Sequence, residues 1–329
     1  MPHFTKIAAL AAAALALTGA ARAEDAVTFG TNWKGEAEHG GYYQAVATGI
    51  YKKYGLNVTI RQGGPSVNHS QLLAAGRLDF NMGSNCFTAL NFVKENIPMV
   101  VVGTTFQKDP AVVMAHPGTG AEKLADMKGR PMLIGASTRT GWWLWLQGAY
   151  GFSDDQIRPY TFNLAPWLAD KRAGVQGFVT SEPYSAEKAG VKPVVHLLAD
   201  NGYDSYNETI ETSLKLVREK PDLVQRFVDA SIEGWYSYLY GDPAPGNALI
   251  KKDNPEMTDD LIAFGIKAMK SYGIVDSGDS KTLGIGAMSD ARWKRFYDFA
   301  VKAKVYDASL DYKKAYTMQF VNKKVGLPK

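Results

Sequence analysis

Cysteine is almost missing from this chain. Among 329 residues there is one, Cys86, so no internal disulfide can form, and its default role is that of a small core residue. Charge of one sign is missing too. Lys and Arg number 37 against 33 Asp and Glu, for a formal net charge of +4, and no basic stripe marks a nucleic-acid surface. The five histidines, among them His39, His69, His116 and His196, show no H-x-x-x-H or H-E-x-x-H spacing, so no metal site is indicated. There is no G-x-S-x-G elbow and no P-loop. Asp109 and the Asp154-Asp155 pair sit in turn-like contexts, where solvated carboxylates are the default. No catalytic set and no cofactor motif is therefore apparent. Ile7 to Ala16, the N-terminal apolar run, is too short and alanine-rich to span a membrane.

What is present starts with an export signal. Lys6 supplies a positive start, the apolar run follows, and Ala21-Arg22-Ala23 forms an A-x-A cleavage site before Glu24. Residues 1–23 are thus expected to be removed. The residue after the cut is not Cys, which predicts a protein without a lipid anchor in a Gram-negative periplasm. The remainder is long enough for about two domains of roughly 150 residues. Asn57, Asn68 and Asn207 head glycosylation triplets, which in a bacterial product are chance matches.

Strand and helix patterns alternate through the first half. Val27 to Asn32, Leu56 to Arg61, Leu78 to Met82 and Met99 to Phe106 read as strands. Tyr43, Ala47, Ile50 and Tyr54 form one helical face ended by Gly55. Ser66 can cap a helix through Leu73, and Asn85 to Glu95 reads as another. A second series follows, with strands at Ala111 to Ala115, Pro131 to Ala136, Tyr160 to Phe162, Gly177 to Val179 and Val191 to Leu198. After about Ser213 the pattern is helical: Ser213 to Arg218, Pro221 to Tyr240, Thr258 to Tyr272 and Ser289 to Ala303. This predicts an α/β protein with mostly parallel, doubly wound sheets in two lobes and a helical C-terminal block on the first. Lobe 1 comprises 24–108 and 205–329, and lobe 2 comprises 109–204. The chain should cross between them near Gln107–Ala111 and Asp200–Thr209, with a ligand cleft between lobes that close by hinge motion.

Several clusters sit where such sheets bind small molecules, outside the carboxyl ends of strands. Trp33, His39, Tyr42 and Tyr43 flank the first strand-to-helix junction, and their rings can stack on a planar guest, with Gly40 and Gly41 allowing close backbone approach. Tyr43 fits the helix core face as well, and His39 suits a structural role equally. Ser84 and Asn85 open a helix after a strand, as donors to a ligand or as plain N-caps. Ser137, Thr138 and Arg139 occupy the corresponding turn of the second lobe, followed by Trp142, Trp143 and Trp145, of which Trp142 is the pocket candidate. Asn163 can pair with a ring nitrogen and an amine, or close an Asx-turn. Glu182, followed by Pro183 and Tyr184, can accept from the N–H groups of an amino-heterocycle, or answer a helix dipole. The basic tail from Lys313-Lys314 to Lys323-Lys324 is a charged face or a permease contact.

Five segments carry a resemblance: Tyr42-Tyr43-Gln44-Ala45 through Tyr51-Lys52-Lys53-Tyr54-Gly55-Leu56, Ala75-Gly76-Arg77-Leu78-Asp79-Phe80, Phe106-Gln107-Lys108-Asp109-Pro110, Phe162-Asn163-Leu164-Ala165-Pro166, and Thr180-Ser181-Glu182-Pro183-Tyr184. With them the chain resembles the solute-binding proteins of bacterial ABC importers of the thiamine-pyrimidine type, related to the sulfonate, taurine and nitrate binders. The resemblance implies a type II periplasmic-binding fold, a monomer that hands a small nutrient to a membrane permease and its ATPase, and a pocket bordered by Asn163. It implies a planar nitrogen heterocycle held by an aromatic sandwich of Trp33 and Tyr42, donors from Ser84 and Asn85, and a clamp from Asn163 and Glu182. A branch of the family contains fungal pyrimidine-synthesising enzymes with a pyridoxal-phosphate lysine, a substrate histidine and a cysteine-rich iron motif. Here Gly83 stands at the lysine place, Phe87 at the histidine place, and the cysteine cluster is missing. Three rivals stay open: a sulfonate or nitrate binder with Arg139 in the cleft and Glu182 outside it, a synthase-like enzyme, and a sensor that signals to a membrane kinase.

Overall fold

The computed structural model describes residues 24–64 and 67–327. The signal segment 1–23 and Ser66 lie outside the described residues, as does the side chain of Ser137. Ten strands are present among them: β1 (Asp25–Gly30), β2 (Leu56–Arg61), β3 (Phe80–Gly83), β4 (Met99–Phe106), β5 (Ala111–Ala115), β6 (Met132–Ile134), β7 (Ile157–Pro159), β8 (Gly174–Phe178), β9 (Val194–Leu197) and β10 (Asn207–Ser213). They form two five-stranded sheets, in the orders β2-β1-β3-β10-β4 and β7-β6-β8-β5-β9.

The apolar runs explain two of the most deeply buried strands. All eight residues of β4 and all five of β5 are buried, as expected for strands covered on both faces. Strand β1 pairs in parallel with β2 and β3, and β6 with β7 and β8. The sheets are nevertheless mixed rather than mostly parallel. Strand β10 runs antiparallel to both β3 and β4, and β5 runs antiparallel to β8 and β9.

Strand β10 escapes a reading by hydrophobicity because it is written NETIETS, yet its first six residues are buried. Neighbours satisfy several of its polar groups. Asn81 Nδ2 donates to Glu211 Oε2 at 2.9 Å, Thr104 Oγ1 to the Asn207 carbonyl at 2.7 Å, and Thr212 Oγ1 to the Asp79 carbonyl at 2.7 Å. Two smaller corrections have local causes. The helix expected from Ser66 runs from His69 to Ala74 and is capped by Asn68, whose Oδ1 accepts from Gln71 N at 3.1 Å. The strand expected at Tyr160–Phe162 lies earlier, at β7, because the chain leaves the sheet there and Phe162 takes a left-handed backbone with φ 61°.

The helix Pro221–Tyr240 forms over the span its periodicity predicts, with Pro221 in its first turn. It lies against the helix Gly40–Ala47. A Cβ on Gly40 would fall 2.0 Å from the Tyr238 ring and one on Gly41 2.3 Å from Trp235. These glycines therefore serve a close helix–helix approach and not the approach of a ligand.

The chain passes to the second sheet between Phe106 and Ala111 and returns between Leu197 and Asn207. The crossing segments are tied together: Asn207 Nδ2 donates to Asp109 Oδ2 at 2.8 Å, and Lys108 pairs with Asp200 at 2.6 Å. Among the described residues no helix is long and apolar enough to cross a membrane.

Candidate functional site

The loop that follows β1 in the first sheet meets the segment that follows β7 in the second. From the first side, Trp33 meets Phe162 of the second side with ring centroids 4.0 Å apart and planes tilted by 40°. Tyr160 stands 5.1 Å behind Phe162. Phe162 is 40% exposed and holds its left-handed backbone without being glycine. Such conformations persist where the surroundings impose them, often at ligand clamps. A second link crosses beside the rings: Thr180 Oγ1, just past β8, donates to Glu38 Oε1.

Three carboxylates gather around this contact. Glu182 opens the helix Glu182–Lys188. One of its oxygens accepts from Phe178 N at 2.8 Å and from Ser181 Oγ at 2.7 Å, while the other has only the Tyr160 hydroxyl at 3.4 Å. Its stem packs over Gly177, where a Cβ would come within 2.7 Å of it, so glycine makes the room. Burial raises the Glu182 carboxyl above its usual range, against the hydrogen bonds it accepts. Burial also pushes Glu38 up to about 7, opposed by Thr180 and assisted by Glu182. Glu36 is driven well above the ordinary range by burial and then by repulsion from Glu38 and Glu182; the Trp33 indole and Lys34 temper it. Among the described residues no group of three or more His, Cys, Asp or Glu is arranged to hold a metal.

His39 orders this wall. Its Nδ1 accepts from Glu36 N at 3.1 Å, which makes Nε2 the protonated nitrogen, donating to Asn32 Oδ1 at 3.0 Å. Asn32 in turn donates to Ser84 Oγ at 3.4 Å. Burial lowers the imidazole to about 3, so it stays neutral. Both ring nitrogens are engaged, which leaves His39 a positioning group rather than a ligand contact.

The other expected residues fall in varied places. Tyr42 is fully buried, 4.5 Å from Phe29 and edge-on to Trp235, with its hydroxyl 3.4 Å from Thr105 Oγ1. The ring opposite Trp33 is therefore Phe162 and not Tyr42. Asn85 caps the helix Cys86–Lys94 through Phe87 N at 3.1 Å. Asn163 is exposed, and its Oδ1 accepts from Ala165 N at 2.8 Å, closing the Asx-turn. Tyr184 packs on Phe264 at 5.4 Å, with the Lys188 ammonium 5.2 Å from its ring. Ser137 through Thr140 form a short helical turn in which Thr138 is buried and Arg139 exposed. Trp142, Trp143 and Trp145 are all buried, with Trp143 Nε1 donating to Asp154 at 2.8 Å and Trp145 against Tyr203.

Glu36, Glu38, Phe162 and Thr180 were not anticipated. The acidic pair in Gly35-Glu36-Ala37-Glu38-His39 is a legible signal, two carboxylates at a strand-to-helix junction. Phe162 had none, since a positive φ at a bulky residue leaves no mark in sequence.

A family model described as NMT1/THI5 like matches residues 36–245. The chain belongs to the NMT1/THI5-like family. Among curated proteins it is 23% identical over 288 residues to a riboflavin-binding protein, RibY, of Chloroflexus aurantiacus, covering 85% of this chain and 81% of that one. Among solved structures, the periplasmic aliphatic sulphonate binding protein SsuA from Escherichia coli aligns with TM-score 0.66 at 13% identity, over 88% and 91% of the two chains. The desulfurization enzyme DSZB aligns with TM-score 0.58 at 13% identity, over 90% and 97%. This NMT1/THI5-like chain thus has the periplasmic-binding-protein fold, a frame that carries both binders and an enzyme. The pyridoxal-phosphate chemistry of the family's synthase branch does not fit here. A Cβ at Gly83, which the resemblance puts at the lysine place, would lie 1.9 Å from Glu211 Oε1, so a side chain there would have to displace the Glu211 carboxyl.

Proposed function

We propose that this protein is the exported solute-binding component of an ABC importer, and that it captures a planar nitrogen heterocycle rich in N–H donors, of the thiamine-precursor pyrimidine class. The observation that carries this reading is the Trp33–Phe162 pair meeting between the sheets with Glu36, Glu38 and Glu182 at its edge. At 4.0 Å the rings touch, so a flat guest enters by spreading them, and opening about the crossing segments 107–110 and 198–206 supplies the space. The moving bodies are the lobes 24–108 with 205–329 and 109–204. Each ring face contributes about 0.5–1.5 kcal/mol beyond area burial. The Glu182 oxygen that has only Tyr160 accepts the guest's amine, a charge-assisted bond of about 1.5–3 kcal/mol in a dry cleft. Residues 1–23 direct export, and the protein works as a monomer that docks on a permease served by an ATPase.

Two facts favour this over binding of a sulfonate or nitrate. The cleft wall presents carboxyl groups that burial keeps protonated above their ordinary range, which suits a guest with ring nitrogens and N–H donors, and Arg139 is exposed in its turn. The relative named for riboflavin binding is in keeping with a flat heterocyclic guest. The reading includes no turnover. Thermal-shift and calorimetric titration with a 4-amino-5-hydroxymethylpyrimidine, hexanesulfonate and nitrate test it. Stabilisation by the pyrimidine alone is expected; stabilisation by the anions alone overturns the ligand class.

A further inference from the structure

Near Glu36 and Glu38 lies a carboxyl group that none of these interactions uses. Glu208 sits at the start of β10, between β3 and the edge strand β4 of the first sheet, beside the segment by which the chain returns from the second. It is fully buried, and neither carboxylate oxygen has a hydrogen-bond partner. Its backbone is left-handed, φ 49°, and its carbonyl is held by Thr105 Oγ1 at 3.2 Å. A non-glycine residue in that conformation stores strain, and a buried carboxylate without a partner is costly; the two together mark a side chain held for something else.

Its surroundings define what that is. The titratable groups near it are Glu36 and Glu38 of the cleft wall, Asp109 of the crossing segment and the Tyr42 hydroxyl. Asp109 is already engaged by Asn207 Nδ2 and Ala111 N, both at 2.8 Å, and Glu38 by Thr180. Glu208 is the acceptor left over. Burial, then repulsion from Glu38, Glu36 and Asp109, raises the Glu208 carboxyl well above its ordinary range, and a neutral hydroxyl offers a single donor and no charge to offset this. An ammonium offers three donors and a compensating charge.

We propose that the cleft continues inward to a subsite at Glu208 that takes a positively charged amine carried by the ligand. This rests on the heterocycle reading and narrows it: the guest is a cationic heterocycle, its flat ring between Trp33 and Phe162 and its ammonium on Glu208. Entry to the subsite passes Glu36 and Glu38, whose carboxyl oxygens can accept from the ammonium on its way inward.

The experiment compares two probes, a 4-aminopyrimidine with a 5-aminomethyl group and its 5-hydroxymethyl counterpart, by calorimetry on the intact protein and on Glu208→Gln. The wild type should bind the aminomethyl probe at least tenfold more tightly. In E208Q that preference should vanish, while affinity for the hydroxymethyl probe changes less than threefold. The ligand-free variant should also melt at or above the wild-type temperature, because it loses an unpartnered carboxylate; a structural role would lower the melting temperature. Equal affinity of the wild type for both probes, or an undiminished preference in E208Q, overturns the subsite and leaves the heterocycle reading standing. Binding of neither probe removes both.

Discussion

Two strand-to-helix junctions in this protein share one grammar and have different surroundings. The first runs from Asn32 to Gly41, the second from Ala136 to Trp142, and each follows a strand with a polar turn and leads into an aromatic helix start. In the first, Glu38 and His39 are buried, His39 bridges Glu36 and Asn32, and Thr180 reaches across from the other sheet. In the second, Ala136, Arg139 and Thr140 are exposed. What separates them is what stands opposite. The first junction faces Phe162, Thr180 and Glu182, and desolvation there drives the carboxylates up and the imidazole down. An exposed arginine keeps its solvent.

That contrast can be broken by substitution. The largest expected loss follows Trp33→Ala, about 2–4 kcal/mol of binding free energy for the aminopyrimidine by calorimetry, as for a central aromatic anchor. An unchanged affinity would remove the ring pair from the site. Glu182→Gln should weaken binding by about 1.5–3 kcal/mol, since it withdraws the charge from the amine contact. Gly177→Ala acts on the same carboxylate indirectly. Its methyl would meet the Glu182 stem at 2.7 Å, so binding should fall by about 1–2 kcal/mol and stability by about 1–3 kcal/mol.

A pH titration sharpens the contrast without mutation. Glu38 and Asp109 are each raised to about 7 by burial, so the folded chain holds protons that the unfolded chain has released. Their stabilising contribution is present below the ordinary carboxylate range and is lost as pH rises through about 7. His39 acts oppositely, contributing above its ordinary value near 6.5 and less as pH falls towards 3. Between pH 6.5 and 8 the carboxylates therefore dominate. The ligand-free melting temperature should fall over that window, and fall less in Glu38→Gln; a flat profile would show that the first junction is wetter than described. The smallest effect is expected for Arg139→Ala, within about 0.5 kcal/mol in stability and in pyrimidine binding. A tenfold loss of sulfonate binding in that variant would shift the ligand class to anions.

Much of the frame was legible because apolar runs and helical periodicity survive in any context. Met99–Phe106, Ala111–Ala115 and Pro221–Tyr240 carry patterns that admit one assignment. Strand β10 was not legible, since its polar residues are buried between strands on both sides, where Asn81, Thr104 and Asp79 satisfy several polar groups and Glu208 has no partner. In the candidate site, Trp33 and Glu182 were singled out on residue type and position. Glu36, Glu38 and Phe162 were not, and Tyr42 was assigned to the wrong partner, because helix periodicity does not say which ring a neighbouring sheet will present.

By itself the sequence determined the alternation of strands and helices and the family, both of which depend on local pattern and on residues close along the chain. Only the tertiary structure decided that Phe162 opposes Trp33, that Glu38 is gripped from the far sheet, and that Glu208 stands without a partner. Those outcomes depend on burial and on contacts between segments more than a hundred residues apart. Water removal, not residue identity, sets the charge of such groups.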